Sequence, residues 1–142
     1  MGTLADPALS ATDREIRKGP YRRRLQSDDM VDFVLIPPRD FVSELLREAP
    51  SFSTSREFAR LTENDRATRG LVFAAFAQFI EASIHTPAIL SECVAALEHF
   101  ALLGDPGADN LLVTEVFESI HDVEWFVPQL LPTSRKLFDR WM

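Results

Sequence analysis

Glu118 and His121 stand three residues apart. On a helix, that spacing puts a carboxylate and an imidazole on one face, as in each Glu-x-x-His pair of a di-iron bundle. The chemistry needs a second such pair and two further glutamates from neighbouring helices. The other acid–histidine couple, Glu81 and His85, is spaced by four, and no second pair exists. Histidines in the last turn of a helix face the negative end of its dipole, so His85 and His121 read as helix-end residues and no metal ligand is assigned. Cys93 falls between Leu90 and Leu97 on an apolar stripe, where a thiol packs rather than reacts. As the single cysteine, it excludes an internal disulfide and a cysteine-based zinc site. The chain has no nucleophile elbow, zinc-protease helix or phosphate-binding glycine loop, so no catalytic residue and no cofactor are assigned.

Charge is the stronger pattern. The net charge is −7, and residues 71–134 contain nine acids and no lysine or arginine. Residues 14–24 hold the reverse: Arg14, Arg17, Lys18, Arg22, Arg23 and Arg24 against Glu15 alone. That basic run, with Tyr21 inside it, could grip phosphates and stack on a base. Residues 31–142, with nine basic and seventeen acidic side chains, would repel nucleic acid. Glu115, Glu118 and Asp122 follow an i, i+3, i+7 spacing opposite Val116, Phe117 and Ile120, which predicts one exposed acidic face. Glu92 and His99 are expected on the outer face of the preceding helix. Like charges at helical spacing cost about 0.2–0.5 kcal/mol per pair, and ordinary soluble surfaces mix signs. Two readings stay open: a solubilising surface, or a field aimed at a basic partner. In the second, the contact residues are Glu92, Glu98, Asp105, Asp109, Glu115, Glu118, Asp122 and Glu124.

The elements that must carry these side chains are helices. Residues 1–30 hold few large apolar residues and read as a flexible basic leader before one domain at 31–142. The apolar, β-branched run at 31–36 could be a short strand, stopped by Pro37 and Pro38. Phe41, Val42, Leu45, Leu46 and Ala49 form one stripe of a helix at 38–48, ended by Pro50. Ser53, Thr54 or Ser55 can cap a short helix to about Leu61, and Asn64 or Asp65 the next, running to Ile84. The apolar residues of that helix cover much of its circumference, which marks it as central. Thr86-Pro87 starts a helix at 87–103 with Gly104 at its C-cap; Asp105-Pro106 starts another reaching Ile120. The two should pair as an antiparallel hairpin. Trp125–Leu131 is apolar around Pro128, and a last helix from Pro132 should dock Leu137, Phe138 and Trp141. The fold expected is all-α, five or six helices stacked as antiparallel hairpins in a helical-repeat-like bundle.

The 142 residues, 46% apolar and 26% charged, fit one globular domain. No apolar run approaches the roughly 18 residues of a membrane helix. The N-terminus lacks a signal-peptide layout, and Asp6 breaks the myristoylation pattern, so a cytoplasmic, membrane-free protein is expected. The segments Ala96-Leu-Glu-His-Phe-Ala-Leu-Leu-Gly-Asp and Asn110-Leu-Leu-Val-Thr-Glu-Val-Phe-Glu-Ser-Ile, with the closing Leu131-Pro-Thr-Ser-Arg-Lys-Leu-Phe-Asp-Arg-Trp, carry a resemblance. They resemble small helical bacterial proteins of the polymorphic-toxin immunity type, over roughly residues 31–142. The resemblance implies a non-catalytic immunity protein or antitoxin whose partner is a cognate protein toxin with a basic surface. It carries no catalytic residues. Val116, where the family often has a small residue, is a departure. The alternatives are a helical adaptor subunit of a larger assembly and, behind it, a small carboxylate-based enzyme.

Overall fold

The structure is a computed structural model that describes residues 39–142. The basic leader, the apolar run at 31–36 and the expected 30/31 boundary lie outside the described residues. Asp40–Met142 forms one compact unit that is all-α, with no strand among the described residues.

Asp40 opens α1 (Phe41–Glu48) by accepting from the Ser43 N–H at 3.0 Å and the Ser43 hydroxyl at 2.8 Å. Pro50 ends α1 as expected, but it also starts α2 (Pro50–Ser53), since a proline at N1 gives up a donor the helix does not use. Ser55 caps α3 (Arg56–Ala59). Thr62 and Asp65 then close a reciprocal capping box around α4 (Glu63–Arg66). The long helix expected from Asn64 or Asp65 is therefore two helices. Thr68 is extended, and the central helix α5 (Arg69–Ala82) begins only after it. Arg66 pins this corner by lying over the Phe58 ring at 4.4 Å and donating to the Phe58 carbonyl at 3.2 Å.

α6 (Pro87–Leu102) stops at Gly104, whose φ of +63° is the left-handed turn that glycine enters without a Cβ penalty. Asp105 caps α7 (Pro106–Leu111) through the Gly107 and Ala108 N–H groups at 2.7 and 3.1 Å. The expected straight α-helix to Ile120 is not formed. The chain widens to a π turn at Leu112–Val116 and tightens to a 3₁₀ turn at Phe117–Ser119. The Thr114 hydroxyl donates to the Asn110 carbonyl at 2.7 Å, competing for the acceptor that an α-helical Thr114 amide would use. After α8 (Val123–Phe126) and a 3₁₀ turn at Val127–Gln129, α9 (Pro132–Trp141) completes the chain. Among the described residues there are nine α-helical segments, four of them single turns.

Two aromatic clusters hold the bundle. Phe52 meets Phe76 at 5.3 Å, and Phe73 meets Phe100 at 5.4 Å, both edge to face, joining α2, α5 and α6. Phe117 meets Phe138 at 5.3 Å and Phe126 at 6.0 Å, joining the irregular turn to α9 and α8. The π turn packs most extensively on α5, and α9 packs on α6. Within the terminal aromatic group, Phe138 packs against the core, but Trp141 stays 63% exposed.

Candidate functional site

The acid-only stretch 71–134 faces helix starts. The Glu98 carboxylate on α6 accepts from the Thr133 N–H at 3.0 Å, the Ser134 N–H at 2.8 Å and the Ser134 hydroxyl at 3.0 Å. It thereby supplies the side-chain cap that Leu131, at the N-cap of α9, cannot. Glu92 accepts from the Ser51 N–H at 2.8 Å and hydroxyl at 3.0 Å, at the start of α2. Glu81 accepts from the His121 N–H at 2.7 Å, the His121 ring Nδ1 at 3.1 Å and the Asp122 N–H at 3.4 Å, just ahead of α8. Asp105 and Asp122 cap α7 and α8 directly. Five of the nine acids thus bond N–H groups at or beside helix starts, whose partial positive charge does the work of a lysine or arginine. Burial alone would raise the Glu98 and Glu81 carboxyl pKa values, but these donors outweigh it and hold both below the ordinary glutamate range.

Two expected placements change. Glu92 and His99 do not lie on an outer face, because α1 and α2 cover that side of α6. His99 Nε2 lies 2.6 Å from Oε2 of the buried Glu44 on α1, and its ring meets the Phe100 edge at 5.2 Å. Glu115, Glu118 and Asp122 do not share one α-helical face, because the π and 3₁₀ turns break the 3.6-residue repeat between them. Glu115 is half-buried, with its Oε2 accepting from the Thr114 hydroxyl at 3.4 Å and lying 3.3 Å from where a Cβ on Gly70, in the first turn of α5, would stand. Glu118 and Glu124 are exposed and make no side-chain hydrogen bond or ion pair among the described residues.

Among the histidines, His85 is exposed and His121 lies beyond its helix end with a side chain 91% exposed. No group of three or more metal-ligating side chains occurs among the described residues. Cys93 is fully buried, and burial pushes its thiol up to about 12, which keeps it protonated and unreactive.

Asp109 has a different setting. It lines a groove of about 370 Å³ between α7, the π turn and the end of α9, with Pro106, Asn110, Val113, Thr114, Arg140 and Trp141. Its carboxylate is half-buried and accepts no hydrogen bond among the described residues. Burial pushes the Asp109 pKa up, Arg140 pulls it partly back, and Asp105 adds to the rise. Trp141 lies along the groove instead of in the core. Periodicity cannot show this, because Trp141 falls on the same helical stripe as Leu137 and Phe138. The π turn had no sequence signal either; Thr114 looks like any helical threonine. Compared with known protein families, curated proteins and solved structures, the chain matches none.

Proposed function

We propose that this chain is a non-catalytic binding protein of the immunity or antitoxin kind, working in the cytoplasm and neutralising a cognate protein toxin with a basic surface. The observation that carries the reading is the α7–α9 groove: a largely apolar concavity with a tryptophan 63% exposed along it and an acid that accepts no hydrogen bond among the described residues. Exposed tryptophans in concave, partly apolar settings are typical anchors of protein–protein contacts. The exposed Glu118 and Glu124 provide further negative charge toward a basic partner, and such charge acts mainly on the rate of capture. Of the eight acids proposed as contact residues, Asp109, Glu118 and Glu124 are the ones whose carboxylates remain available; Glu92, Glu98, Asp105 and Asp122 bond helix starts, and the half-buried Glu115 lies against Gly70 and accepts from the Thr114 hydroxyl at 3.4 Å.

The test is a protection assay in cells expressing the larger toxin gene that should precede this gene. The wild-type chain should restore growth. Trp141→Ala should weaken toxin binding by roughly thirtyfold, the scale of a 2 kcal/mol anchor, with an unchanged melting temperature. Full protection and unchanged affinity in a folded Trp141→Ala protein would remove the groove from the binding surface.

A further inference from the structure

The groove also specifies what a partner must present, an inference that rests on the binding-protein reading above. Three observations converge on it. First, its described walls combine apolar surface from Pro106, Val113 and Trp141 with one half-buried carboxylate, Asp109, and one exposed guanidinium, Arg140. Second, that carboxylate is half-buried and receives no hydrogen bond or ion pair among the described residues, although Arg140 lies on the same groove. Third, one wall is the π turn Leu112–Val116, an irregularity that recurs at functional sites in helical proteins.

These features discriminate among occupants. A purely apolar side chain would finish the burial of Asp109 without giving it a donor, which costs free energy. An anion could meet the exposed Arg140, but it would also face the half-buried Asp109 with Asp105 beside it, and would leave that carboxylate without a donor. A cation with an apolar stem satisfies both parts of the groove. Arginine suits it better than lysine, because a planar guanidinium can stack on an indole while its edge donates two hydrogen bonds to a carboxylate. We infer that the groove receives an arginine side chain of the partner protein, its guanidinium stacked on the Trp141 indole and hydrogen-bonded to the Asp109 carboxylate. A volume of about 370 Å³ accommodates one such side chain.

The experiment uses the full chain and two small probes, Nα-acetyl-arginine amide and its neutral isostere Nα-acetyl-citrulline amide, titrated to millimolar concentration by two-dimensional NMR. The Trp141 indole N–H should shift saturably with the arginine probe, with the Trp125 indole as a stationary reference. The citrulline probe should bind about tenfold more weakly, the loss expected when a charge-assisted hydrogen bond is replaced by a neutral one. Asp109→Asn should bring the arginine probe down to the citrulline level, and Trp141→Ala should weaken both. Equal binding of the two probes by the wild-type chain would overturn the proposal. So would an absence of any shift at Trp141, or retained selectivity in a folded Asp109→Asn protein. Failure here is separable from failure of the binding-protein reading. Toxin protection lost in Trp141→Ala, with no preference for arginine, would keep the partner and discard the arginine. Selective arginine binding by a chain that protects against no toxin would do the reverse.

Discussion

Glu98 and Asp109 belong to the same acid-only stretch, yet among the described residues one collects three donors and the other none. Glu98 stands on a straight α-helix opposite the start of α9, and three N–H or O–H groups converge on it. Asp109 stands in α7, just before the helix widens, and looks into an apolar groove. The same side-chain type is therefore structural in one place and available for contact in the other. What decides is the geometry of the neighbouring backbone: a helix N-terminus offers unpaired N–H groups to Glu98, whereas no described backbone N–H reaches Asp109 and Arg140 acts on it only through its charge. A run of like charge in a sequence thus need not be a surface field. Here much of it is the internal counterpart of helix starts.

The contrast between the two carboxylates holds only where the irregular segment beside the groove is as firmly anchored as α6, and Phe117 tests that with the largest expected effect. Phe117 is 1% exposed and stacks at an angle on both Phe126 and Phe138. Phe117→Ala should cost about 3–5 kcal/mol, read as a large drop in the denaturation midpoint with urea. A loss below about 1 kcal/mol would mean that the turn is held loosely and that the groove has no fixed shape.

Glu98→Ala comes next. It leaves the Thr133 and Ser134 N–H groups without their acceptor, while the hydroxyl of the fully buried Ser134 keeps the Leu131 carbonyl at 3.1 Å, and should cost about 1–3 kcal/mol at neutral pH. The pH dependence follows from the depressed folded-state pKa. The stabilisation by Glu98 is present above the ordinary glutamate range and is lost as the pH falls through its lower folded-state value. Wild-type and variant unfolding curves should therefore converge in acid. A gap that persists unchanged at low pH would assign the loss to packing rather than to the carboxylate.

Much of this architecture was legible in the residues, and the parts that were not have definite causes. The helix starts at Thr86-Pro87 and Asp105-Pro106, the Gly104 stop and the central apolar helix are written in local chemistry and appear in the structure. The break at Thr68 has no local signal: the Thr62–Asp65 capping box opens α4, Thr68 is a residue type that helices accept, and the apolar periodicity beyond it reads as continuous. The partners of Glu92, Glu98 and Glu81 lie 35 to 41 residues away, so their roles depend on packing that spacing does not encode. Trp141 and Asp109 were visible as residue types, but not as neighbours across a groove.

Asp109→Asn has the smallest expected effect on stability and the opposite sign. A carboxyl whose folded-state pKa is raised is ionised more easily in the unfolded chain, so its charge opposes folding. The neutral acid favours the fold fully below the ordinary aspartate range, and that advantage is lost as the pH rises through the higher folded-state value. At neutral pH, asparagine removes the burden while keeping the shape. The variant should then match the wild type or exceed it by up to about 0.5 kcal/mol, with the difference vanishing in acid, as urea titrations at both pH values would show. The same substitution should abolish the preference for the arginine probe. A side chain that weakens the fold slightly but is required for a ligand is explained by function, since packing alone would favour its replacement. If Asp109→Asn instead destabilised the protein by more than about 1 kcal/mol at neutral pH, Asp109 would be a structural carboxylate like Glu98, and the contrast between the two regions would fail.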